Sequence, residues 1–273
     1  MAENNCSGNC ASCGSKCAER KQESFFEPTG EFNSIKHTVA VVSGKGGVGK
    51  SAVTSMLAVN LAKKGYKVGI LDADITGPSI PKAFGVNGPA MQNETGILPA
   101  VTENGIKIIS VNMMLPDREQ PVVWRGPVIA GLVKQFWQEV FWGELDYLLI
   151  DCPPGTGDVP LTVFQTIKLD GAIMVTSPQD LVSLIVKKAL NMAKLMNINV
   201  IGIIENMSYA VCPDCGKKFS VFGDSAGRYD DLGVKLLAKL PIDPSLAAMI
   251  DSGAVEKYDG ALLDGAAGEM EKL

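Results

Sequence analysis

From about Ile35 onward, short runs of β-branched and aliphatic residues alternate with longer stretches in which apolar positions recur at helical spacing. The runs predict strands at Thr38–Val42, Val68–Leu71, Ile106–Val111, Tyr147–Ile150, Ala172–Thr176, Val200–Ile204 and Leu236–Leu240. Several are apolar at every position, the pattern of strands covered on both faces. The longer stretches predict helices at Lys50–Lys64, Pro127–Val140, Pro160–Ile167, Asp180–Met196 and Pro244–Ser252. Asp180 and Ser245 stand where helix-start residues belong, and Gly65 where a C-terminal cap belongs. Strand and helix in alternation build βαβ units, so the expected fold class is α/β, a mostly parallel sheet with helices on both faces.

Two segments interrupt the alternation. Gly77–Gly105 and Ser208–Asp224 are rich in Gly, Pro and Asn and are expected to be long functional loops within one domain. There is no internal repeat. Residues 1–30 show no hydrophobic periodicity; they hold Cys6, Cys10, Cys13 and Cys17, then polar and charged residues, then Pro28 and Gly30. The division is therefore a cysteine-rich N-terminal tail, 1–30, and an α/β domain, 31–273.

Composition narrows the partners. A chain of 273 residues with 46% hydrophobic content can fill a sizeable core. With 25 basic against 30 acidic residues and no long Lys or Arg run, it has no stripe to follow a phosphate backbone, so no nucleic-acid partner is expected. No stretch approaches the ~18 consecutive apolar residues of a membrane span, and the N-terminus lacks an apolar targeting core. No membrane partner and a cytoplasmic location are expected. Seven cysteines, six of them in two tight clusters, do not resemble a disulfide framework and point to metal in a reducing compartment. The single histidine, His37, leaves no material for His-based triad or zinc-hydrolase chemistry and is expected to be structural. Trp124, Trp137 and Trp142 are expected in the core or at a dimer surface.

The chemistry begins at Gly44. Gly44-Lys45-Gly46-Gly47-Val48-Gly49-Lys50-Ser51 satisfies the P-loop pattern and lies between a predicted strand and a predicted helix. Its glycines let backbone N–H groups converge on phosphates at a helix N-terminus. Lys50 is expected on the β- and γ-phosphates, and the Ser51 hydroxyl on Mg2+. Asp72 and Asp74 end one predicted strand and Asp151 another, at the sheet edge where α/β folds bind ligands. Asp151 is the candidate for holding Mg2+ through water, and the following Pro153-Pro154-Gly155-Thr156-Gly157-Asp158 a candidate γ-phosphate sensor. Asp72 and Asp74 are alternatively strand ends or helix caps.

Cys212-Pro213-Asp214-Cys215 places two thiols on one tight turn. Zinc sites and common iron–sulfur clusters take four protein ligands, which a two-fold dimer supplies as two pairs. The residues themselves leave an iron–sulfur cluster, zinc and a redox pair open. The gaps of three, two and three residues among Cys6, Cys10, Cys13 and Cys17 signal a second Fe-S or zinc site, or no fixed metal. Cys152 is expected to pack as a small buried residue.

With its extra Lys45, the P-loop resembles the signature-lysine ATPases, which include MinD, ParA and the nitrogenase iron protein. The segments Asp72-Ala73-Asp74-Ile75-Thr76-Gly77-Pro78-Ser79-Ile80-Pro81, Trp124-Arg125-Gly126-Pro127, Asp151–Asp158 and Cys212–Cys215 resemble the Mrp/ApbC iron–sulfur carrier branch. That resemblance implies ATP, Mg2+ and a 4Fe-4S cluster as cofactors, and a homodimer in which Lys45 of one copy reaches the phosphates held by the other. It implies that Asp74 orients the attacking water and that Asn206 contacts adenine; Asn206 is alternatively a loop-capping residue. It also implies apo iron–sulfur proteins as recipients of the cluster.

Overall fold

The computed structural model describes residues 26–74, 79–93, 96–114, 126–179, 181–223 and 229–273. Cys6, Cys10, Cys13, Cys17, Trp124, Arg125 and the predicted helix-start Asp180 lie outside the described residues. The order of elements is β1 (Ser34–Ser43), α1 (Lys50–Lys63), β2 (Val68–Asp72), α2 (Ser79–Ala83), β3 (Met91–Asn93), β4 (Gly96–Leu98), β5 (Ala100–Val101), β6 (Lys107–Ser110), α3 (Gly126–Glu139), β7 (Glu144–Asp151), α4 (Asp158–Thr166), β8 (Gly171–Thr176), α5 (Leu181–Leu195), β9 (Val200–Val211), β10 (Lys218–Phe219), β11 (Leu236–Pro241), α6 (Pro244–Asp251) and α7 (Asp264–Met270).

Among the described residues, nine strands form one sheet in the order β10-β9-β8-β1-β7-β2-β6-β5, with β11 also paired to β9. The pairings from β11 through β9, β8, β1, β7 and β2 to β6 are parallel, and only the small flanking strands β5 and β10 run antiparallel. The chain leaves β1 for β2 on one side and later returns to β8 on the other, so the carboxyl end of β1 is a topological switch point where α/β sheets bind ligands.

Side-chain alternation along the strands divides the core in two. On β1, Val39 and Val41 face a layer that contains Val53, Leu57 and Leu61 of α1 and Ala266 and Met270 of α7. Ala40 and Val42 face Phe136 and Trp137 of α3, Val163 and Phe164 of α4 and Leu190 of α5. Helix α1 is buried from Val53 to Leu61, which explains why it carries no charged residue between Lys50 and Lys63.

The predicted strands and helices appear with shifted ends, and two differences have a clear cause. Asp243, not Ser245, caps α6: its carboxylate accepts from the N–H groups of Ser245 and Leu246, and Pro244 takes the first helical position, where no N–H is needed. The two expected long loops contain regular elements. The first contains α2, the β3–β4 hairpin and β5; in the second, β9 continues to Val211 and pairs with β10. Short strands with few apolar residues leave little periodic signal, so backbone pairing alone reveals them. Gly65 does occupy the left-handed region after α1, at φ +93°. Trp137 and Trp142 are core residues, and His37 stacks on Tyr147 with ring centroids 5.3 Å apart.

Candidate functional site

The loop from Gly44 to Gly49 connects the carboxyl end of β1 to the first turn of α1. Gly47 and Gly49 adopt φ +78° and +79°, a conformation that residues with a Cβ adopt only at a cost. Gly49 has a second constraint: a Cβ there would lie 2.2 Å from Asn206 Nδ2. The Asn206 amide itself donates to the carbonyl of Val48 at 3.0 Å. The loop, with Asp74, Ser79, Pro154 and Ile250, lines a pocket of about 330 Å³. A larger cleft of about 480 Å³ lies near the amino ends of β1 and β7, beside Phe32, Asn33, Gln92 and Phe141. Neither a lysine nor an arginine lines that cleft, so it offers no counter-charge to a polyphosphate.

Lys50 is the charged centre of the smaller pocket. Its Nζ lies 2.8 Å from Asp151 Oδ2 and 3.5 Å from Asp74 Oδ2, and its side chain is almost wholly buried. Burial opposes its charge, but Asp151 above all, with Asp74 and Asp72, outweighs that and raises its pKa. Asp151 Oδ2 also accepts from Ser51 Oγ at 2.5 Å, and its Oδ1 accepts from Thr54 Oγ1 at 2.8 Å. Ser51 and Thr54 are three residues apart on α1 and so share a face. Thr54 was not among the expected site residues; that spacing beside Lys50 was the available signal.

Register brings the acids together: Asp72 is the neighbour of Asp151 on β7 and of Ser110 on β6. Asp72 is completely buried, and burial, then the nearby Asp151, hold its carboxyl well above the usual carboxylate range. It accepts from Ser110 Oγ at 2.8 Å and from the Asp74 N–H at 3.0 Å. Asn112 Nδ2 donates to the Asp74 carbonyl at 3.1 Å. The Asp74 backbone is thus held on both sides, by Asp72 and by Asn112; Ser110 and Asn112 are further residues that composition and spacing did not single out. The loop after Asp151 packs on the P-loop, with Gly155 N–H donating to Ser43 O at 2.8 Å.

Two expected residues lie away from this cluster. Lys45 is exposed, its Nζ donating to Gln179 Oε1 at 3.0 Å. Cys212 and Cys215 sit at the far end of β9, on the turn to β10. There the Cys212 N–H donates to Lys217 O at 3.0 Å and the Gly216 N–H to Cys212 O at 2.9 Å, with Gly216 at φ +70°. Cys212 is half-buried and Cys215 exposed. The N–H groups of Cys215 and Asp214, then the Cys215 thiol, lower the pKa of Cys212. Cys152 is fully buried, and that burial pushes its thiol up to about 12. Among the described residues no group of three or more His, Cys, Asp or Glu side chains is placed to hold a metal. Nor, among them, is any helix long and apolar enough to cross a membrane.

A glycine nest at a helix N-terminus, a buried lysine and a hydroxyl–aspartate pair at the switch point of a parallel sheet define a P-loop NTPase. Residues 34–265 match the family described as the NUBPL iron-transfer P-loop NTPase, and the chain belongs to that family. It is 49% identical to an iron-sulfur cluster carrier protein of Methanocaldococcus jannaschii, over 93% of this chain and 90% of that one. It is 45% identical to the protein of the same name in Clostridium perfringens, over 92% and 94%. A cytosolic Fe-S cluster assembly factor, CFD1 of Chaetomium globosum, is 40% identical over 86% and 84%. Among solved structures, a nucleotide-binding protein from Archaeoglobus fulgidus in complex with ADP superposes with a TM-score of 0.74 at 45% identity, covering 82% of this chain and 89% of that one. The cell-division ATPase MinD of Pyrococcus furiosus shares the fold, with a TM-score of 0.65 at 22% identity over 86% and 98%.

Proposed function

We propose that the chain is an ATP-hydrolysing carrier that holds a 4Fe-4S cluster between two copies of itself and transfers it to apo-proteins. The observation that carries this is the coexistence, in one chain, of a P-loop site and an exposed two-thiol turn with no third ligand in reach among the described residues. Two such turns related by a two-fold axis supply the four thiolates that a 4Fe-4S cluster takes. The lowered pKa of Cys212 favours the thiolate that binds iron. The names of the curated relatives support the cargo, and ADP in the Archaeoglobus fulgidus protein supports an adenine nucleotide.

Within the pocket, the N–H groups of Gly44–Ser51 and the Lys50 ammonium are the phosphate ligands. The donor set suits Mg2+: Ser51 Oγ and the Asp151 carboxylate lie together as hard oxygen ligands, and the ion would neutralise charge on the phosphates. Asp74 is the candidate for orienting the attacking water, and Asn206, beside Gly49, for contacting the adenine. Lys45, exposed in the single chain, is free to swing from Gln179 to the phosphates of a second copy. Cys6, Cys10, Cys13 and Cys17 are proposed as a second Fe-S or zinc site.

Anaerobic iron and acid-labile sulfide analysis of the purified chain tests the assignment. We expect about four of each per dimer from the interface site, lost in Cys212→Ser and Cys215→Ser. A zinc-loaded, colourless protein with full ATPase activity would overturn it.

A further inference from the structure

Strand β9 carries residues of both sites, with Asn206 on the P-loop and Cys212 at its end, six residues further on. Between them it is not a regular strand. Its pairing with β11 runs Lys239 to Glu205 and then Pro241 to Tyr209, so four residues of β9 are set against two of β11. Inside that bulge Met207 adopts φ 58°, a left-handed conformation that costs a side chain with Cβ roughly 1–2 kcal/mol. Strain of this kind persists only where surrounding contacts over-determine it.

The contacts converge on Glu205, a completely buried acid that does not line the phosphate pocket. Ser208 Oγ donates to Glu205 Oε1 at 2.7 Å and lies 2.9 Å from the Glu205 carbonyl oxygen, closing the bulge on itself. Tyr229 OH donates to Oε2 at 2.5 Å, and Lys239 Nζ of β11 lies 3.9 Å from Oε1. Asn206 joins the bulge to the P-loop: its Oδ1 accepts from the Met207 N–H at 2.9 Å while its Nδ2 donates to Val48 O. Any displacement of the Val48 carbonyl would therefore reach the strained residue through the Asn206 side chain. Five residues, Met207–Val211, separate Asn206 from Cys212, a span of at most about 22 Å.

We propose that Glu205 is a positioning residue whose clasp on the β9 bulge makes the geometry of Cys212 and Cys215 respond to occupancy of the nucleotide pocket. The inference rests on the proposed function for its meaning, since the thiols are taken there as cluster ligands. Its test needs no cluster.

The full chain, reduced and cluster-free, is alkylated with iodoacetamide without nucleotide, with MgADP and with a non-hydrolysable ATP analogue, and the rates at Cys212 and Cys215 are read by peptide mass spectrometry. In the wild type, nucleotide changes the Cys212 rate by about fivefold or more, the lower end of ordinary site-to-site coupling. Glu205→Gln, Ser208→Ala and Tyr229→Phe keep nucleotide binding and lose the difference, and Met207→Gly, which removes the strain, reduces it. The proposal is overturned if the wild-type rate ignores nucleotide, if the clasp variants respond as the wild type does, or if all three lose nucleotide binding. It is also overturned if sedimentation shows that the response follows oligomeric state rather than the substitution. Failure of the cluster assignment would appear separately, in the iron and sulfide analysis, and would leave the thiol response standing.

Discussion

Replacing Gly49 by alanine perturbs two things that the structure separates. At φ +79° the new residue is strained by about 1–2 kcal/mol, of which a stiffer unfolded chain offsets part, since Gly→Ala lowers unfolded-state entropy by about 0.4–1 kcal/mol. The Cβ also arrives 2.2 Å from Asn206 Nδ2, so the amide must leave the Val48 carbonyl, at a net loss of about 1 kcal/mol. Gly47→Ala is the internal control, because Gly47 has the same backbone, φ +78°, with nothing within 4 Å of the added Cβ. The net cost is therefore about 1 kcal/mol at Gly47 and about 2 kcal/mol at Gly49. For a chain of this size the difference corresponds to about 2–4 °C in unfolding midpoint, read by calorimetry without nucleotide. The double variant Gly49→Ala with Asn206→Ala should recover about 1 kcal/mol relative to the sum of its parts, because the collision is gone. Equal midpoints for the two single variants, or strict additivity in the double, would refute the claim that Asn206 packs on the phosphate loop.

Lys50→Ala, which strips the counter-charge from Asp151, should abolish tight nucleotide binding, whereas Lys45→Ala should bind normally and lose about 10³-fold or more in hydrolysis; normal ATP binding by both in a filter assay would misplace the site. Asn112→Ala removes its hydrogen bond to the Asp74 carbonyl, and that loss of about 1 kcal/mol predicts a roughly fivefold lower kcat with unchanged KM; a change confined to KM would contradict it. The raised pKa of Asp72 means that its contribution to stability is full below the unfolded-state value near pH 4 and is lost as pH rises through the folded one. The midpoint of Asp72→Asn relative to wild type should accordingly rise from pH 4 toward neutrality, and a flat difference would exclude that environment for Asp72. At neutral pH Cys212 should alkylate faster than Cys215, and Cys152 should not react in the native state; modification of Cys152 at a comparable rate would show that the nucleotide side of the core opens.

The sequence by itself determined the layer architecture and the place of the phosphate site. Apolar runs such as Val68–Leu71 and Ala172–Thr176 can be stable only when covered on both faces, and the glycine–lysine–serine loop has its chemistry in consecutive residues. The cysteine pair was legible for the same reason, since both thiols lie within one turn. What the tertiary structure decided is everything carried by registry between strands distant in the chain. Asp72 meets Asp151 and Ser110 only because β2 is flanked by β7 and β6, and Asn112 finds the Asp74 carbonyl across the same edge. Asn206 closes on Gly49 from 157 positions away in numbering, and the β9 bulge exists only through its mismatch with β11. Local spacing encodes which groups are available; burial and strand order then set which of them touch, and so which charges and hydrogen bonds the site has.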